Sequence, residues 1–114
     1  MGTILTLDKQ QLREVAMDDG DLMRELVAAL IADTSEQIQL LENAVKVGDL
    51  EQCKRLAHYS KGACANVGAS SAAELLKTIE QRAARNDLQE CGFALSRLAA
   101  EIDLLRQEAA ALQN

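Results

Sequence analysis

Between Leu88 and Leu112 the residues Leu88, Cys91, Leu95, Leu98, Ile102, Leu105, Ala109 and Leu112 return at alternating steps of three and four without a break. That spacing draws one apolar stripe along a helix of about seven turns. A stripe this long has to be covered by other elements. Proline is absent, and hydrophobic residues make up 48% of the chain while aromatic ones make up 2%, so the covering core has to be Leu, Ile, Val and Ala. Such a composition specifies packed helices.

The remaining segments supply them. Asp8 to Met17 reads as a short helix with Leu12, Val15 and Ala16 on one side, ended by the Asp18-Asp19-Gly20 turn. A second helix starts near Asp19 and continues to Val47, with Leu22, Leu26, Leu30, Ile38, Leu41 and Val45 at helical spacing. Asp33-Thr34-Ser35 interrupts its stripe and marks a place for a bend or break. Gly48 is its expected stop, and Asp49 with Gln52 begins a third helix that ends at Gly68. Ser71 with Glu74 reads as a capping box for a fourth, lined by Ala72, Leu75, Leu76, Ile79 and Ala83. Asn86-Asp87 is the next turn, and Asp87 with Glu90 caps the last helix. The last stripe alone would suit a coiled coil, but long helices joined by short turns define an all-α fold. The expectation is an antiparallel four-helix bundle with a short additional N-terminal helix, residues 1–114 forming one domain.

The formal charge of -6 argues against nucleic acid as a partner, since that binding needs a basic footprint. No run approaches the roughly 20 apolar residues of a membrane span; the longest is Leu26 to Ala32. The N-terminus also lacks the basic start and apolar core of a signal peptide, so a cytoplasmic location is expected. Met1-Gly2 with Thr6 has the spacing of a myristoylation signal, too short a pattern to carry weight. Between a free-standing protein and a domain cut from a larger sensor kinase the sequence does not decide, though the initiating Met and the full set of helices favour the former. Cys53, Cys64 and Cys91 all fall on apolar helical faces and read as small buried hydrophobes in a reducing compartment.

The chemistry lies on the third helix, which holds the only histidine. With about 100° per residue, Cys53, Leu56, Ser60, Ala63, Cys64 and Val67 fall on the side away from His58, flanked by Leu50 and Ala57. His58 therefore points outward, among Lys54, Arg55, Lys61 and Gly62, with Ala65 two turns on. An exposed glycine inside a helix costs roughly 1 kcal/mol relative to Ala, and folding gains nothing from it here. A partner surface that must come close to the imidazole would explain it.

His58-Tyr59-Ser60-Lys61-Gly62, followed by Val67-Gly68-Ala69, resembles the His-x-x-Lys-Gly…Gly-Ala signature of the histidine-containing phosphotransfer (HPt) domains of multistep two-component relays. The resemblance runs from the Asp18-Asp19 turn through Ala44 and Asp49 to Leu75, Leu76, Ile79 and Glu80. Ser60 departs from it, standing where the family usually has an apolar residue; facing inward, it could return its hydroxyl to the Leu56 carbonyl. The resemblance implies a phosphocarrier with no kinase or phosphatase activity of its own. His58 would accept and donate the phosphoryl group, and Lys61 would stabilise its charge. Gly62, Lys54, Arg55 and Ala65 would form the partner-binding patch. The implied partners are response-regulator receiver domains and a hybrid sensor kinase, with Mg²⁺ supplied by the receiver, no cofactor on this chain, and a monomeric carrier.

Two other classes compete. An adaptor could keep the bundle and dock a receiver or kinase without carrying phosphate. A metal or hydrolytic bundle ranks lowest, because a di-iron site needs paired Glu-x-x-His motifs and a hydrolase needs a partner group for His58.

Overall fold

The computed structural model describes residues 4–112, so Met1 and Gly2 with their acylation spacing lie outside the described residues. Five helices follow one another: α1 (Lys9–Val15), α2 (Gly20–Val47), α3 (Leu50–Val67), α4 (Ser70–Ala84) and α5 (Leu88–Ala111). Four begin on an aspartate whose carboxylate accepts the backbone N–H three residues on: Asp8 from Gln11, Asp19 from Leu22, Asp49 from Gln52 and Asp87 from Glu90. Each bond satisfies an N–H that the first helical turn would otherwise leave unpaired. Gly48 and Gly68 close α2 and α3 in the left-handed conformation, with φ of 74° and 94°.

The start of α4 corrects the sequence expectation. Its N-cap is Ala69, which makes no side-chain cap bond, and Ser71 already lies in the first turn. The Ser71 N–H instead donates to the Leu5 carbonyl at 2.9 Å, and the Asp8 N–H donates to the Gly68 carbonyl at 2.7 Å. A backbone strap from the beginning of the chain thus does the work that a capping side chain would do.

Helices α2 to α5 form the expected bundle, each packed on the next and α5 closing against α2, while α1 lies on α3 and α2. Thr34 with Cys64 and His58 with Glu80 pair residues about equally far from the intervening turn, so those successive helices run antiparallel, and Ser35 with Arg106 ties α2 to α5. The core is aliphatic: Leu12, Val27, Leu41, Leu76, Ile79, Leu98, Ile102 and Leu105 are fully buried. Val15, by contrast, is exposed. The short α1 ends there, and the chain turns through Met17 and Asp18 at positive φ.

No break appears at Asp33-Thr34-Ser35, which lies within the continuous α2. Thr34 is turned inward, its hydroxyl 3.8 Å from the Cys64 sulfur, and Ser35 accepts from Arg106 at 2.8 Å. Each polar side chain has a partner outside its own helix, so neither competes for the α2 backbone. Cys53, Cys64 and Cys91 are free and buried. Burial pushes the Cys64 and Cys91 thiols up to about 11, which keeps them protonated fillers.

Ser60 faces the core, but its hydroxyl has no hydrogen-bond partner, contrary to the expected return to the Leu56 carbonyl. A buried unpaired hydroxyl is destabilising by about 1–3 kcal/mol. Ser60→Ala is therefore expected to stabilise the bundle by about 1 kcal/mol. Chemical denaturation checks this; a lower midpoint would mean that the hydroxyl is bonded in solution.

Candidate functional site: an exposed imidazole on a two-helix seam

His58 stands mid-way along α3, its side chain 70% exposed, on the side of the helix that the buried Cys53, Ala57, Ser60 and Cys64 leave free. Its Nδ1 is 2.8 Å from Oε2 of Glu80 on α4. The other oxygen of that carboxylate, Oε1, accepts from Lys61 Nζ at 2.6 Å. One carboxylate thus ties together two residues a single turn apart on the neighbouring helix.

The Lys61 ammonium, helped by His58 and opposed by partial burial, holds the Glu80 carboxyl below the usual carboxylate range. Glu80 is ionised at neutral pH and can only accept hydrogen bonds. The imidazole proton therefore resides on Nδ1, and the Nε2 lone pair is left free. Such a ring is a nucleophile held in one orientation by a second helix.

His58, Gly62 and Ala65 are all exposed along the outer face of α3. A Cβ built on Gly62 would meet nothing within 4 Å, so packing inside the bundle does not account for the glycine. The Ala65 carbonyl accepts the Gln11 side-chain amide at 2.6 Å, which brings α1 to the edge of this face. Lys54 is less free than its sequence neighbourhood suggests, because it pairs with Glu51 at 3.3 Å along the helix. Arg55 donates to the Gln52 side chain and keeps an exposed guanidinium. All six residues singled out from the sequence belong to this side of α3, and Lys61 is drawn towards α4.

Glu80 carried no role in the sequence reading, although it formed part of the family resemblance. It follows the core residue Ile79, and that position put it at the border of the apolar stripe. Its pairing with His58 depends on how α3 and α4 slide past each other, which no local pattern encodes. Among the described residues, no group of three or more His, Cys, Asp and Glu side chains is gathered as a metal site. No described helix is long and apolar enough to cross a membrane.

An all-helical bundle with a solvent-facing histidine, a lysine one turn on and an open glycine beside it is the arrangement of a phosphocarrier. The Hpt domain family matches residues 25–113, and the chain belongs to that family. Its function is histidine phosphotransfer in a phosphorelay, and proteins of this family work with receiver domains and kinases. Among solved structures, it is similar to histidine-containing phosphotransfer protein B (HptB) from Pseudomonas aeruginosa PAO1, at 25% identity and a TM-score of 0.87 over 96% of this chain and 95% of that one. It is also similar to the histidine-containing phosphotransfer protein MtHPt2 from Medicago truncatula, at 25% identity and a TM-score of 0.81 over 94% of this chain and 76% of that one. No curated protein matches the sequence.

Proposed function

We propose that His58 is the residue that takes the phosphoryl group from a receiver aspartate and passes it to another. The observation that carries this reading is the imidazole held by Glu80 through Nδ1 on a side chain that is 70% exposed, one turn from the open Gly62. In the forward step the Nε2 lone pair attacks the phosphorus of a phosphoaspartate. A P–N bond forms, the P–O bond to the acyl oxygen breaks, and the aspartate carboxylate leaves. Nδ1 keeps its proton, so the ring becomes cationic, and the Glu80 carboxylate facing it stabilises that charge. The return step is the same reaction run backwards onto a second receiver.

Lys61 is close enough to turn from Glu80 towards the phosphoryl oxygens, adding a point charge where negative charge accumulates. The chain offers a nucleophile on a rigid scaffold, and the receiver brings the Mg²⁺ and the acidic residues that complete the active site. Arg55 and the partly neutralised Lys54 favour an acidic docking surface. The carrier acts as a cytoplasmic monomer between a hybrid sensor kinase and its regulators, making small, transient contacts with each.

Gly62 separates folding from transfer. Gly62→Ala is expected to stabilise the bundle by about 1 kcal/mol, since helix propensity rises and nothing is displaced. Gly62→Gln should leave helicity intact and slow transfer from a receiver by about tenfold or more, a loss of some 1.4 kcal/mol in transition-state stabilisation. Circular dichroism and rapid-quench transfer kinetics check the pair; unchanged kinetics would show that close approach is not what the glycine serves.

The function is tested by incubating the purified chain with a phosphorylated receiver domain and Mg²⁺. The expected product is an acid-labile, base-stable phosphoryl label that peptide mapping places on His58. A folded chain that binds receivers and takes up no label would be an adaptor.

A further inference from the structure

The Glu80 carboxylate is divided between two partners, with Oε2 at His58 Nδ1 and Oε1 accepting from Lys61. The partners differ in what they can do next. The imidazole stands on a short side chain, whereas the Lys61 ammonium ends a flexible four-carbon stem. Lys61 also borders an open groove with Asp8, Glu74 and Lys77, none of which is paired with it. It therefore has room to leave Glu80.

No other carboxylate takes its place at the ring. On α3, Lys54 pairs with Glu51 and Arg55 donates to Gln52. On α4, Lys77 lies one turn before Glu80 and Glu74 one turn further off. Among the described residues, no charged side chain of α1 or α2 pairs with His58, Lys61 or Glu80. Glu80 alone meets the Nδ1 proton. That proton decides whether a phosphorylated ring can give up its phosphoryl group: with it the P–N bond breaks to leave a neutral imidazole, and without it the leaving group is an imidazolide anion, a far poorer one.

We propose that phosphorylation of His58 hands the Glu80 carboxylate over from Lys61 to the imidazole, and that the undivided carboxylate keeps the Nδ1 proton on the phosphorylated ring, so that the phosphoryl group stays transferable at neutral and mildly alkaline pH. This rests on the reading of His58 as the phosphoryl-bearing residue. Before transfer, Lys61 takes up part of the carboxylate's charge, which favours the neutral, nucleophilic ring. Once the phosphoryl group is on Nε2, its oxygens compete for the ammonium, and Glu80 faces a cationic ring alone. An opposite charge at hydrogen-bond distance favours the charged form of its partner. One carboxylate thus serves acceptance and donation in turn.

The test separates the position of a pH profile from its height. The chain is labelled with phosphoramidate, a small donor whose P–N bond to ammonia is exchanged for one to His58 Nε2, and the donor is removed. Loss of the label to water is then followed from about pH 5 to about pH 9. Water attacks phosphorus, the electron pair of the P–N bond returns to Nε2, and inorganic phosphate leaves with the proton of the water. Glu80→Gln should move the fall in rate to lower pH by about one unit, so that at about pH 8 its label outlives that of the unaltered chain tenfold while the two decay alike at about pH 5. Glu80→Asp keeps the charge but draws it back by one methylene, and should fall between. Lys61→Met should lower the rate at every pH without moving the profile to lower pH, since Glu80 remains. Circular dichroism checks each variant, and Glu80→Asp carries the test if Glu80→Gln does not fold. A carboxylate that only orients the ring changes height alone, so a Glu80→Gln profile at the unaltered position overturns the proposal. So does a Lys61→Met profile displaced in the same direction as that of Glu80→Gln. If the unaltered chain takes label from neither phosphoramidate nor a phosphorylated receiver, the phosphocarrier reading itself fails and this proposal falls with it; label on the unaltered chain with an unmoved Glu80→Gln profile removes the hand-over alone.

Discussion

His58→Gln is expected to leave a folded bundle that takes up no phosphoryl label. The side chain is 70% exposed and contributes little to packing, and a glutamine amide can still donate to Glu80. Stability should therefore change by less than about 1 kcal/mol, the range of exposed polar substitutions. The chemistry has no such tolerance. An amide nitrogen is delocalised into its carbonyl and offers no lone pair for phosphorus, so transfer should fall to background rather than by a graded factor. Incubation with a phosphorylated receiver and Mg²⁺, with thermal denaturation of the same preparation, reads both quantities. Label that persists on the folded variant would move the phosphoryl-bearing position elsewhere and remove the role argued for Glu80.

Gly68→Ala should produce the largest loss of stability of any single methyl group added to this chain. Two costs coincide there. The residue has a φ of 94°, a region that side chains disfavour by about 1–2 kcal/mol. A Cβ would also lie 2.8 Å from the Asp8 carbonyl oxygen, a backbone atom that cannot move without lifting the strap. Together these should cost about 3 kcal/mol and lower the melting temperature by about 10 °C. Hydrogen exchange gives a sharper reading than the melting curve. The Asp8 and Ser71 amides, which donate to Gly68 and Leu5, should lose protection ahead of the rest of the bundle. Label uptake from phosphoramidate should survive, because the α3–α4 pairing of His58 with Glu80 is distant from the junction in sequence and held by the core. Retained protection at both amides would mean that the strap does not bind in the way the backbone bonds describe.

The sequence disclosed the outward direction of His58 and the helix stop at Gly68, but not the strap carbonyl that Gly68 meets. His58, Lys61 and Gly62 were legible because helical periodicity assigns each position an angle, and the apolar residues around them say which angles face inward. The same reasoning located Gly48 and Gly68 as stops and Asp49 and Asp87 as starts, since capping is a contact between residues three or four apart. It erred at Ser71, whose spacing to Glu74 imitates a capping box while the actual partner is Leu5, far away along the chain. At Asp33-Thr34-Ser35 a polar interruption marked a bend or break, and the helix runs on without a break because Thr34 is turned onto Cys64.

By itself the sequence determined the helices, their apolar faces, the outward direction of His58 and the family motif around it. All of these rest on interactions within a few turns of one helix, where spacing in the chain is spacing in space. Only the tertiary structure decided that Glu80 holds Nδ1 and engages Lys61, that the N-terminal strap caps α4, and that Ile4, Leu5 and Lys77 meet beside the histidine face. Those contacts depend on the register between antiparallel helices and on the path of the strap across their ends. Register is set by how the whole core packs, and no local stretch of the chain carries it.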